Sequence, residues 1–93
     1  MAMKVKSAKI ELLIEDSFSL KDKRRVIKSI MSKLRNKFNI SIAEVGSNEL
    51  HNKAELGVSM VGNDYRFLDT AMDNVLKFIE ENYQVEVIYF DEV

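Results

Sequence analysis

The chain has 93 residues, of which 46% are apolar and 31% charged, with a formal net charge of −1, no Pro and no Cys. That length supports one hydrophobic core and that apolar fraction excludes a disordered chain. The lack of Cys excludes a disulfide framework, a thiolate nucleophile and a Cys-based zinc site. The basic start Met1-Ala2-Met3-Lys4-Val5-Lys6 is followed by an apolar stretch broken by Lys9, Glu11 and Glu15, too short for a signal peptide or a membrane span. The expectation is one cytoplasmic domain over residues 1–93 with no membrane contact.

The near-zero net charge hides a polarity along the chain. Residues 1–38 hold eleven Lys and Arg against four Asp and Glu, whereas residues 39–93 hold three against eleven. Such asymmetry is a hint of a charged partner. It is also what two solvated surfaces of opposite sign would give.

In chain order, Ala8, Ile10, Leu12 and Ile14 alternate with Lys9, Glu11, Leu13 and Glu15, which predicts a half-buried strand over about Lys4–Glu15. A turn at Asp16-Ser17-Phe18 leads to Ser19-Leu20-Lys21-Asp22, which has the form of a capping box. Leu20, Ile27, Ile30, Met31, Leu34 and Phe38 then recur at helical spacing, and Asn39 suits the stop. The β-branched run Ile40–Val45 predicts a second strand, with Gly46-Ser47-Asn48 as turn chemistry. A third strand is expected over about Lys53–Val61, with Ala54, Leu56, Val58 and Met60 on its buried face.

Gly62-Asn63-Asp64 breaks that strand and supplies an N-cap. Tyr65, Leu68, Met72, Val75, Leu76, Ile79 and Tyr83 mark the stripe of a second helix, with Phe67 and Phe78 off it and expected to pack at the flank or over the sheet end. A last strand over about Gln84–Phe90 sets Val85, Val87 and Tyr89 opposite Glu86, Ile88 and Phe90. The order strand, helix, strand, strand, helix, strand, with one apolar face per element, predicts an α+β, ferredoxin-like βαββαβ sandwich: a four-stranded antiparallel sheet with both helices on one face.

The stretches SLKDKRRVIKSIMSKLRNKFNISIAEV and AELGVSMVGND resemble the YlxP-like family, a bacterial group of unknown function. The resemblance spans nearly the whole chain and is most specific in the SLK-x-KR, FN-x-S-x-AE and LG-V runs. It implies a ferredoxin-like fold, no established enzymatic activity, and genes often sited beside translation and ribosome-maturation factors. His51 stands where many relatives carry Trp, so a role for an aromatic there does not transfer to this chain.

The first helix carries the chain's main concentration of positive charge. Lys21, Arg25, Lys28 and Arg35 fall in one arc with Arg24 at its edge, while Lys23, Lys33 and Lys37 are assigned to the other flank. Cations crowded into the first turns oppose the helix dipole by roughly 0.3–1 kcal/mol each. An anion bound there would reverse that penalty. Ser19, Lys21, Lys23, Arg24, Arg25, Lys28 and Arg35 are therefore the candidate RNA- or anion-binding set, with RNA or a ribosomal subunit as the expected partner. A merely solvated basic face is the competing reading.

The uncovered sheet face is a poor RNA reader, because Glu11, Leu13, Glu15, Glu55, Gly57, Ser59 and Val61 on its central strands include no aromatic to stack on a base. Leu13, Val61, Ile88 and Phe90, with Ala43, instead suggest an apolar interface for a homo-oligomer, the alternative function for this chain. No metal-binding motif is present. The only His, His51, lies in a polar turn without a positioned nucleophile, and the three Gly are isolated, so neither a catalytic relay nor a phosphate loop is indicated. The chain is expected to be non-enzymatic and to carry no cofactor.

Overall fold

A computed structural model describes residues 2–93. It contains β1 (Lys4–Ile14), α1 (Leu20–Lys37), β2 (Ser41–Gly46), β3 (Lys53–Gly62), α2 (Tyr65–Asn82) and β4 (Val85–Glu92). The strands form one antiparallel sheet in the order β2-β3-β1-β4. This is the ferredoxin-like α+β arrangement, with both helices on one face.

The buried residues follow the two periodicities of the sequence. Ala8, Ile10, Leu12 and Ile14 of β1 and Ala54, Leu56, Val58 and Met60 of β3 meet Ile27, Ile30 and Leu34 of α1 and Leu68, Met72, Val75 and Ile79 of α2. Truncating any one of the Ile, Leu or Met side chains among them to Ala costs about 2–5 kcal/mol.

Both helices begin on side-chain caps. The Ser19 hydroxyl accepts from the Asp22 amide at 3.1 Å, and the Asp22 carboxylate accepts from the Phe18 amide at 3.3 Å. Asp64 caps α2 through the Arg66 amide at 2.9 Å. Satisfying these free amides holds the entering chain at a fixed angle.

Each edge strand departs from simple alternation once. In β2, Glu44 pairs with Leu56 and Gly46 with Glu55, so Val45 bulges out between them. At Gly46 an added Cβ would lie 2.1 Å from Glu55 Oε2, so a larger residue there would displace the Glu55 carboxylate. In β4, Val87 pairs with Leu12 and Tyr89 with Glu11, which leaves Ile88 unpaired.

The bulge at Ile88 corrects the expected faces of β4. Phe90 pairs with Ile10, whose side chain is in the core, so Phe90 belongs to the helix side at the sheet edge, not to the uncovered face. Tyr89 pairs with Glu11 and takes the uncovered face instead, where Lys9 lies over its ring at 5.7 Å. A bulge adds one residue and so reverses the alternation beyond it.

Candidate nucleic-acid interface

The α1 face is built on the stripe that docks it. Lys23, Ile27, Ile30 and Leu34 are its buried residues, at the spacing of a core stripe. The side chains of Lys21, Arg24, Arg25, Lys28 and Arg35 project from the rest of the helix and are exposed. Among the described residues, no carboxylate lies within 4.0 Å of any of these five cations. Arg35 commits part of its fork to β2, donating to the Ile42 carbonyl at 2.9 Å.

Lys23 does not belong to this surface. It is only 1% exposed, and its ammonium lies 2.9 Å from Glu44 Oε2 and donates to the Ser47 carbonyl at 2.5 Å. Its expected place on a solvent flank is overturned by its position one turn before Ile27 on the core stripe. Glu44 Oε2 is buried and, despite its closeness to Lys23, makes no hydrogen bond of good geometry; the pair is an ionic contact. Ser47, which supplies the carbonyl, holds a left-handed backbone with φ 58°.

Ser19 is engaged as the N-cap, and Asp22 already brings negative charge to the first turn. An anion on this face therefore meets side chains in place of free helix amides. Lys33 and Lys37, on the other flank, lie over the rings of Tyr83 and Phe78 at 5.6 and 5.3 Å. That arrangement ties them to α2 and its end.

The loops at the start of α1 are held by a buried hydroxyl. The single Ser17 hydroxyl proton is donated to the His51 carbonyl, with the Ser19 carbonyl 3.2 Å from the same oxygen, fastening the β1–α1 turn to the β2–β3 connection. The Ile14 amide donates to the Asn52 carbonyl at 2.8 Å. Between these anchored positions Phe18 is 81% exposed. In the sequence Phe18 reads as a turn residue, and its only signal of exposure is its place next to a capping box with no apolar partner one helical turn on.

The uncovered sheet face has a charged centre. Lys9 pairs with Glu55 at 3.2 Å, Lys53 lies 4.0 Å from Glu11, and Ser47 donates to Glu55 at 2.9 Å. The Ser47 hydrogen bond first, then Lys9, holds the Glu55 carboxyl below the usual carboxylate range, and Glu55 in turn raises the Lys9 ammonium. Leu13 and Val61 lie on this face as expected, Ile88 is exposed at its bulge, and Phe90 has left it. The apolar residues thus rim a polar centre.

Phe78 packs edge-on against Phe38 with ring centroids 6.3 Å apart, as a flank contact should. Phe67 is instead 66% exposed, beside a crevice of about 230 Å³ between the end of α1 and the start of α2. His51 is exposed. Among the described residues no group of three or more His, Asp or Glu is placed to hold a metal ion, and no helix is long and apolar enough to cross a membrane.

Residues 5–92 match a family described as "Protein of unknown function (DUF503)". A similar protein is the "Uncharacterized protein YlxP" of Bacillus subtilis (strain 168), 34% identical over 79 residues that cover 85% of this chain and 86% of that protein.

Proposed function

This chain belongs to the DUF503 family, and from the basic face of α1 we propose that it is a non-enzymatic RNA-binding domain that associates with a ribosomal subunit. The observation that carries the reading is the group Lys21, Arg24, Arg25 and Lys28: four exposed cations on the first turns of one helix, none with a carboxylate partner among the described residues. Intramolecular ion pairs are made by Lys6, Lys9, Lys23 and Lys53, so the cations without such partners are concentrated on this helix. Like charges held together on a rigid scaffold repel one another, and a polyanion relieves that repulsion while releasing its own counterions. The genomic setting implied by the family resemblance points the same way.

Binding of this kind follows backbone charge and shape, so it weakens steeply as salt rises. The deciding experiment is co-sedimentation with purified ribosomal subunits, and filter binding to rRNA, across a salt series. Retention that falls with salt and is lost in Lys21→Glu/Arg25→Glu supports the function. No affinity, or affinity indifferent to that double substitution, removes it.

A second reading, self-association through the uncovered sheet face, draws on the exposed rim of Val5, Val45 and Val61. The paired charges at the centre of that face make it the weaker of the two.

A further inference from the structure

Phe18 occupies the residue before the N-cap of α1, where an apolar side chain commonly packs on the fifth residue of the cap sequence and staples the helix entry. Here that fifth residue is Lys23, which is turned into the protein toward Glu44 and Ser47. The staple is not made, and the ring of Phe18 is 81% exposed. Its backbone is nevertheless fixed on both sides. The Phe18 amide donates to Asp22 Oδ2 at 3.3 Å, and the preceding Ser17 is buried with its hydroxyl on the His51 carbonyl. A large apolar surface is therefore presented to solvent from an anchored turn.

The residues that follow Phe18 on the helix carry the charge. Lys21, Arg24 and Arg25 follow within the first two turns of α1, all exposed and without carboxylate partners among the described residues. A flat aromatic face beside cations suits a ligand that is planar, apolar on its faces and linked by anionic groups. Unpaired nucleotides have that chemistry; paired bases in a helix do not offer their faces.

Resting on the RNA-binding reading above, we infer that the site selects unpaired RNA, with Phe18 stacking on one exposed base while Lys21, Arg24 and Arg25 hold the flanking phosphates. The ring supplies the preference for single strands and the cations supply the salt-dependent affinity. Recognition is thus placed on the α1 entry turn, away from the sheet face that lacks stacking residues on its central strands.

The test uses the full chain, a single-stranded RNA oligonucleotide and a duplex RNA of equal length. The chain has no Trp, so Phe18→Trp introduces a single Trp, at the site, that can be excited apart from the tyrosines. The expected results are quenching of that Trp by the single strand, single-strand affinity close to that of the parent, and a loss of about tenfold in single-strand affinity for Phe18→Ala with duplex affinity unchanged. Unchanged thermal unfolding of both variants separates this effect from a folding defect. Single-strand binding that depends on Lys21 and Arg25 but neither quenches the Trp nor responds to Phe18→Ala overturns the stacking role and leaves the RNA-binding reading standing. Absence of binding to either RNA and to ribosomal subunits overturns both.

Discussion

Lys23 Nζ and Glu44 Oε2 lie 2.9 Å apart, joining the first turns of α1 to β2 through a lysine that is 1% exposed. Removing one member of a buried pair leaves the other charged and desolvated, which costs about 3–5 kcal/mol. Glu44 retains some access to solvent, so the lower part of that range applies. Lys23→Ala is expected to lower stability by about 3 kcal/mol in urea unfolding. Lys23→Met/Glu44→Leu should recover most of that loss, because apolar side chains of similar volume fill the same space. In the cycle of Lys23→Met, Glu44→Leu and their double variant, a sum of single effects exceeding the double by less than about 0.5 kcal/mol would show the two residues to be uncoupled.

This pair also decides how the basic face must be tested. A charge reversal at Lys23 would damage folding and imitate a binding defect, whereas Lys21 and Arg25 are exposed. Replacing both by Ala should leave the urea midpoint within experimental scatter. It should also reduce the slope of log affinity against log salt, for single-stranded RNA, by about 1.4. A slope that does not change means neither side chain meets a phosphate.

The open face predicts a pH dependence. The Glu55 carboxyl is held below its ordinary value by Ser47 and then Lys9, so its contribution is complete above about pH 4.3 and is lost as pH falls through the lowered folded value. Lys9 is raised by Glu55; that contribution is complete below about pH 10.4 and is lost as pH rises through the raised folded value. Glu55→Gln should therefore be less stable than the parent at neutral pH and converge on it in acid. Urea midpoints across an acid series measure the gap, and a constant gap contradicts the assignment.

Ser17 offers a contrast between backbone ties and side-chain chemistry. Its buried hydroxyl donates to the His51 carbonyl, whereas the His51 side chain is exposed. Ser17→Ala should cost about 1–2 kcal/mol by removing the donor to the His51 carbonyl, and His51→Ala should stay within about 0.5 kcal/mol. Thermal unfolding of the two variants separates them. Equal effects would place the loop's anchor on the imidazole.

For the sheet face, Val61→Asp is the informative substitution, since Val61 is exposed there and Phe90 is not on that face. Sedimentation velocity at micromolar concentration should detect any self-association of the parent and its loss in this variant, with Phe90→Asp unaffected. A parent that sediments as a monomer throughout removes the second reading.

Element order, both N-caps and the core of β1, β3 and α2 are legible in the sequence because they rest on local periodicity and short-range hydrogen bonds. Lys23 is misread because its charge outweighs its spacing: 23, 27, 30 and 34 form a regular stripe with a cation at its head. The β4 faces are misread for the opposite reason. Val85, Val87 and Tyr89 alternate without interruption in the sequence, and only pairing with Glu11 and Leu12 across the sheet reveals the extra residue. The exposure of Phe18 leaves one local trace, the charged Lys23 where an apolar staple partner would stand, but no periodicity marks it.

The unpaired Ile88 makes β4 one residue longer than its partner needs, and so sets which carboxylate meets the buried Lys6. With the bulge, Glu92 sits opposite Ala8 on the helix side and meets Lys6, which Asp69 of α2 also contacts at 2.9 Å. A straightened β4 of the same length would bring Tyr89 inward against Ile10 and offer Lys6 the shorter Asp91. Deleting Ile88 would instead keep Tyr89, Phe90 and Glu92 on their present sides. The strand can lose that residue more readily than it can lose the irregularity by realignment.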